Sequence, residues 1–306
     1  MNEETYIGWS SVPRGMKVRL ADFHTGLAKN LKRDKKGKKA IKQWAMESLN
    51  ENREALSAAH DLFWTDKRYS LLVILQGMDT AGKDGAIKHV MSGLNPQGCR
   101  VESFGIPTRN ELNYPFLWRF WRFLPRKGEI GIFNRSYYED VLVPKIHPEI
   151  LDTQRLPPGY GSKSFWDARF EDIISFEKQL VNNGVIILKF FLHISFEEQR
   201  NRLISRLKTE SKQWKFSSSD LSERDHWKQY QEVYEEIFSR TSTDYAPWYI
   251  IPADYKWVAR TMIADLIVLS IRQLDLRYPE ITEIQKVEIE AALEKLQNTE
   301  KNPTNK

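Results

Sequence analysis

Four stretches of the chain are continuously apolar rather than alternating: SLLVILQ (70–76), EIGIFN (129–134), GVIILKFFLHIS (184–195) and WYIIPA (248–253). A strand that is apolar on both faces has no side to turn to water, so each reads as a buried parallel strand. CRVESFG (99–105) is a weaker fifth candidate. Helical spacing lies between them, over 84–94, 111–123, 167–182 and 196–208. Strands alternating with helices predict an α/β, three-layer fold with a mostly parallel sheet.

Outside that alternation, Ile41, Trp44, Leu49, Leu56 and Phe63 recur at near-helical intervals and predict an amphipathic helix over 40–64. KWVARTMIADLIVLSIRQLDL (256–276) places Val258, Met262, Leu266 and Leu269 along one helical face. Residues 1–39 are polar, basic and weakly periodic, and read as an N-terminal extension. The segment 281–306 is Glu/Lys-rich and reads as a helix fraying into a tail. No repeat and no long linker divides the chain, so one domain is expected, with its core over 70–275.

The first apolar run enters GMDTAGKDG, that is Gly77, Met78, Asp79, Thr80, Ala81, Gly82, Lys83, Asp84 and Gly85. Gly77, Gly82 and Lys83 fit the phosphate-binding pattern G-x-x-x-x-G-K-[ST], and a strand before and a helix after supply its context. Glycines let successive amides face an anion, and the helix start adds positive potential. The residue after the lysine is Asp84 instead of a hydroxyl. An acidic residue in a helix's first turn is stabilised by the dipole, which is enough to explain it. Asp79, inside the loop, would repel a phosphate unless a cation lies between them, which points to Mg²⁺ held by Asp79.

A second motif is GEIGIFNRSYYEDVLV (128–143). Where phosphate-loop proteins end this strand in an acid, Asn134 stands here, followed by Arg135. Glu139 and Asp140 lie close by and could supply negative charge. A third is QRNRLISRLKTESKQWKFSSSDLSERDHWKQY (199–230). Arg202 and Arg206 share a helix face, and Lys208, Lys212, Trp214 and Lys215 follow in a Ser-rich stretch. Taken alone it reads as an exposed charged hairpin. Beside the other two motifs, 202–226 reads as a lid that closes over phosphates.

Charge narrows the partners. Lys and Arg outnumber Asp and Glu by 46 to 41, for a formal charge of +5 and a pI near 9.0, a balance suited to polyanions. The basic run LKRDKKGKKAIK (31–42) reads as a solvated surface. Cys99 is the single cysteine, so no intrachain disulfide is possible and a reducing compartment is expected. No run approaches the roughly 20 apolar residues of a membrane span, and the first residues carry no signal pattern. A cytoplasmic protein without membrane partners is expected. The ten tryptophans could stack bases, but those at helical spacing, Trp44, Trp118 and Trp121, read as core or interface residues, and no nucleic-acid partner is expected.

Together, GMDTAGKDGAIKHVMSGLNPQGCRV, GIFNRSYYEDVL, KQWKFS and TSTDYAPWYIIPAD resemble the signature blocks of the polyphosphate kinase 2 family, across roughly 71–260. The resemblance implies a P-loop kinase-like core, a mobile lid and Mg²⁺-dependent phosphoryl transfer between inorganic polyphosphate and adenine nucleotides. It implies Asp79, Lys83, Asn134 and Arg135 as catalytic residues, with Asn134, Arg135 and Glu139 at the nucleotide. Asparagine in the second motif, with Glu139 five residues on, resembles the subgroup that phosphorylates both AMP and ADP.

A polyphosphate chain carries about one negative charge per residue and needs a basic track. Lys83, Lys88, Arg119, Arg122, Arg126, Arg202 and Arg206 are the candidates. Competing readings are an ATP-dependent nucleoside monophosphate kinase and a non-catalytic nucleotide or polyanion sensor. Amphipathic helices outside the core suggest a homo-oligomer.

Overall fold

A computed structural model describes residues 8, 10–26, 35–214 and 216–301. Lys215, the basic residues 31–34 and the last five residues lie outside the described set, as do the side chains of Ile41 and Trp44.

Six strands form one sheet: β1 (Ser11–Val12), β2 (Ser70–Gln76), β3 (Cys99–Ser103), β4 (Ile130–Asn134), β5 (Val185–His193) and β6 (Trp248–Pro252), in the order β1-β6-β5-β2-β4-β3. All neighbours pair parallel except β1, which runs antiparallel to β6. Every residue of β2 is buried, as its unbroken apolar run requires. The five predicted strands are all present, and β1, two residues long, is too short to leave a sequence pattern.

The helices are α1 (Lys35–Asp66), α2 (Lys83–Val90), α3 (Trp118–Trp121), α4 (Glu139–Ile146), α5 (Lys163–Asn182), α6 (Phe196–Lys208), α7 (Glu210–Gln213), α8 (Ser219–Asp225), α9 (Trp227–Thr241), α10 (Lys256–Arg272) and α11 (Glu283–Lys301). α10 packs against both α1 and α2, while α5 lies on β5 and α9 contacts α4 and α5. Helices on both faces of a parallel sheet make the three-layer arrangement. One cluster of buried side chains runs from Val12 to Ile271. α11 stands apart, with Ile284, Val287, Leu293 and Leu296 exposed.

The helix expected over 111–123 does not form. Only Glu111–Asn113, as one 3₁₀ turn, and α3 are helical there. Tyr114 precedes Pro115 and takes φ −119°, ψ 161°, the extended conformation that a following proline imposes. The neighbouring α2 stops at Val90, four residues short of the expected 94.

The parallel order brings the carboxyl ends of β2, β4, β5 and β6 to one edge. Leu75 pairs with Asn134, Gln76 with Phe191, and Phe191 with Ile250. The loops leaving that edge carry most of the residues singled out in the sequence, at the place where open α/β sheets bind ligands.

Candidate active site

The loop from β2 to α2 turns on two glycines. A Cβ on Gly77 (φ 153°) would lie 3.0 Å from the Leu192 carbonyl oxygen. Gly82 caps α2 in the left-handed region at φ 112°, where L side chains are strained. Thr80 sits at φ 63°, an outlier for a β-branched residue. Such strain persists only where the surroundings hold it, and it concentrates at ligand sites. Lys83 opens α2 and is 8% exposed. Its Nζ donates to the carbonyls of Gly77 (2.6 Å) and Met78 (3.4 Å). Burial, then nearby Arg135, lowers the ammonium pKa, against the pull of Asp79, Glu139 and Asp84.

β4 ends in Asn134, and the chain reverses through Arg135 at φ 65°. The Arg135 amide donates to the Leu75 carbonyl (3.0 Å), which fixes the reversal against β2. Its guanidinium donates from Nη2 to Asp79 Oδ1 (3.0 Å) and lies 4.0 Å from Glu139 Oε2. Glu139 raises the Arg135 pKa most, while Glu139's own carboxyl is pushed up mainly by burial. Asn134 Nδ2 donates to Asp84 Oδ1 (3.0 Å) and Ser103 Oγ (3.4 Å). Asp84 therefore does more than complement a helix dipole: it bonds across to the end of the second motif.

Beneath this turn is a buried polar network. Tyr137 and Tyr138 donate to Glu177 Oε1 at 2.8 and 2.7 Å. Lys189 Nζ donates to Glu177 Oε2 (2.7 Å), to the Tyr138 hydroxyl (3.1 Å) and to the Thr241 carbonyl (2.8 Å). Lys189 and Glu177 are both 0% exposed. Every partner in such a network is needed, because an unpaired buried charge is costly.

Two cavities meet at the loop. One, of about 650 Å³, is lined by Lys83, Arg202, Arg206, Lys212, Lys256 and Arg260, with Asp84 and Asn134 at its wall. The other, of about 660 Å³, is largely apolar, with Ile106, Pro107, Val143, Pro144, Tyr230 and Tyr234 among its lining residues. Carboxylates of Glu149, Asp220 and Glu223 also line it. Asp79, Phe104 and Arg135 belong to both cavities.

The structure therefore brings Asp79, Lys83, Asn134, Arg135, Arg202, Arg206 and Lys212 into the cationic cavity, and Glu139 into the apolar one. It does not bring in Lys88, Arg122 or Arg126, which are exposed elsewhere. Arg122 lies over the ring of Trp118. Arg119 is buried, donates to the Gly105 carbonyl (2.7 Å) and lines the apolar cavity, so it stands off the expected track. Lys208 and Trp214 are exposed and do not line the cationic cavity.

Sequence reasoning missed Lys256 and Arg260. Both are on the first turns of α10, a segment read only for its apolar face. Burial and neighbouring cations, Arg202 first, lower the pKa of each, as expected where like charges crowd. Two basic residues one helical turn apart, at the start of the helix that follows a buried strand, were the available signal.

A family model described as Polyphosphate kinase 2 (PPK2) matches residues 39–279. The chain is 42% identical over 280 residues to an ADP-polyphosphate phosphotransferase of Rhodopseudomonas palustris, covering 90% of this chain and 97% of the relative. It is 44% identical over 250 residues to an AMP/ADP-polyphosphate phosphotransferase of Meiothermus ruber, covering 81% and 90%. The crystal structure of polyphosphate kinase 2 from Arthrobacter aurescens TC1 superposes with a TM-score of 0.76 at 35% identity, covering 83% of this chain and 87% of that one. The chain belongs to the polyphosphate kinase 2 family.

Proposed function

We propose that this member of the polyphosphate kinase 2 family transfers the terminal phosphoryl group of inorganic polyphosphate to AMP and to ADP. The observation that carries the reading is the meeting of a cationic and an apolar cavity on Asp79 and Arg135. A polyanion fits the first. The second fits a nucleoside whose phosphate points to Arg135, because the carboxylates elsewhere in its lining would repel a phosphate and accept hydrogen bonds from ribose and base. Donor and acceptor then face each other across the Asp79–Arg135 pair.

In this arrangement an acceptor phosphate oxygen attacks the terminal phosphorus of polyphosphate. The bond to the chain's bridging oxygen breaks, and a polyphosphate one unit shorter leaves. The acceptor needs no general base, since a phosphate's second ionisation lies near pH 6. Asp79, beside Arg135, is instead suited to alignment. Lys83 and Arg135 neutralise the oxygens of the transferring group, and the strained, amide-presenting loop fixes its position. In the lid segment, Arg206 and Lys212 add charge over the donor.

The residues present fit Mg²⁺. Among the described residues no group of three or more Asp, Glu, His or Cys could cage a metal, but Asp79 and Asp84 line one cavity. The Asn134 Oδ1 and Thr80 Oγ1 atoms beside them are buried without a partner. One or two carboxylates, with substrate phosphates and water, is a characteristic Mg²⁺ donor set. Asp79 and Asp84 would hold the ion, which would supply charge neutralisation at the substrate phosphates.

Purified protein with Mg²⁺, long-chain polyphosphate and AMP tests the proposal, with nucleotides followed by chromatography. ADP and then ATP are expected. ADP alone would remove ADP as an acceptor. No product with polyphosphate, alongside phosphorylation of AMP by ATP, would move the assignment to a nucleoside monophosphate kinase.

A further inference from the structure

Three consecutive carbonyls of the phosphate loop, those of Asp79, Thr80 and Ala81, are held from a single helix. Gln199 Nε2 donates to Asp79 O (3.3 Å). Arg202 Nη1 donates to Thr80 O (3.0 Å) and Ala81 O (2.7 Å). The remaining Arg202 donors are also engaged, Nη2 with Ala253 O (2.5 Å) and Asp254 O (3.1 Å), and Nε with Glu198 Oε1 (2.8 Å). Arg202 is thus a clamp between the loop and the end of β6, although it was expected on the polyphosphate track. Gln199 faces a second way: its Oε1 accepts from Arg224 Nη1 (2.5 Å). Arg224 belongs to α8, in the lid segment, and also donates to Phe196 O (2.9 Å) while stacking 3.4 Å above the Phe196 ring.

We propose that Gln199 is a positioning residue that transmits the placement of α8, through Arg224, to the loop carrying Asp79. The orientation of its amide follows from its partners: Arg224 can only donate, so the oxygen faces Arg224 and the nitrogen faces Asp79 O. Gln199 is 1% exposed, so loss of one partner leaves a buried amide group poorly satisfied. Thr80 holds a strained φ directly after Asp79, and the carbonyl bonds on both sides of it are what keep the loop from relaxing. A shift of the lid that withdraws Arg224 therefore loosens the tie that seats the Asp79 carboxylate at the junction of the two cavities. This inference rests on the proposed phosphoryl transfer, in which the setting of Asp79 governs turnover rather than binding.

The test compares wild type, Gln199→Glu, Gln199→Leu, Arg224→Gln and the Gln199→Leu/Arg224→Gln double variant. Each is assayed for kcat and KM with polyphosphate and AMP, and for Tm. Glutamate keeps the acceptor for Arg224 but cannot donate to Asp79 O. Gln199→Glu should therefore lower kcat about tenfold or more, since even a 1 Å misplacement can cost about 100-fold. Its polyphosphate KM should stay close to wild type, and its Tm should fall by no more than the few degrees that one unsatisfied buried group costs. Arg224→Gln should lower kcat in the wild-type background and have little further effect beside Gln199→Leu, as expected of residues acting through one contact.

Wild-type kcat in Gln199→Glu, or losses that simply multiply in the double variant, would overturn the proposal. If the leucine variants fail to fold, Gln199→Glu decides it alone. A wild-type chain that makes no product refutes the proposed function instead. The relay is then read without turnover, from trypsin cleavage at Lys208 and Lys212 with and without tripolyphosphate. Protection in wild type that is lost in Gln199→Glu supports it, and equal protection in both overturns it.

Discussion

The Asn134 amide donates to the Asp84 carboxylate across 3.0 Å, joining the end of β4 to the first turn of α2. An ordinary phosphate loop has a hydroxyl at the helix start and an acid at the strand end. Here the carboxylate stands on the helix and the neutral group on the strand. At these two positions one carboxylate is kept and its place is exchanged.

Asn134→Asp would set two carboxylates against each other, so that one must hold a proton or push its partner aside. We expect kcat/KM for AMP to fall on the order of tenfold at neutral pH, one pKa unit being worth about 1.4 kcal/mol. Adding Asp84→Asn restores one amide and one carboxylate and should recover most of the loss. Steady-state kinetics of both single variants and of the exchanged pair measure this; an exchanged pair no better than Asn134→Asp would refute it.

The cationic cavity yields a second prediction. Replacing Lys256 and Arg260 with Gln removes two charges that line it. The polyphosphate KM should rise severalfold and the AMP KM should stay constant. The steepness with which KM rises with salt should also decline, because each lost ion pair removes a counterion-release contribution of the kind polyanion binding shows. Arg122→Gln and Arg126→Gln serve as controls, since both side chains are exposed away from this cavity, and should change neither. Equal effects from the control pair would put the donor elsewhere.

Stability offers a third. Glu177→Gln leaves the Lys189 ammonium, 0% exposed, without its 2.7 Å partner. Breaking a buried pair on one side costs about 3–5 kcal/mol, or a fall in Tm of roughly 10 °C. The double variant Glu177→Leu/Lys189→Met, which removes both charges, should be less destabilised than Glu177→Gln. Calorimetry on the two decides whether the pair or merely its volume matters.

The strands and the phosphate loop were legible because each rests on local chemistry: an unbroken apolar run, a turn that glycine makes without strain, a lysine next to it. The helix over 111–123 was misread because the apolar spacing of Leu117, Phe120 and Trp121 persists although Pro115 forbids the helical path through Tyr114. Lys256 and Arg260 were overlooked because their meeting with Lys83 depends on sheet order, which places β6 next to β5 and β5 next to β2. Arg202 was assigned to phosphate because sequence gives a cation's charge but not its partners. Only the fold reveals that all its donors are taken by backbone carbonyls and Glu198.

Acid behaviour separates two buried groups whose effects oppose each other. Burial pushes the Asp140 carboxyl up from 3.8 to about 6, against the pull of Arg119 and Arg169. The folded state thus holds this proton more tightly than the unfolded, and Asp140's contribution to stability declines by roughly 3 kcal/mol as pH rises from about 4 to 6. Burial lowers the His193 imidazole from 6.5 to about 4. There the unfolded state holds the proton more tightly, so stability is lost, by a similar amount, as pH falls from 6.5 to 4. In the wild type the two slopes largely cancel. Asp140→Asn should therefore gain Tm relative to wild type as pH rises from 4 to 6, and His193→Gln should lose it over the same range. Melting curves at half-unit pH steps give both differences, and parallel profiles for the three proteins would show that neither group titrates as its burial requires.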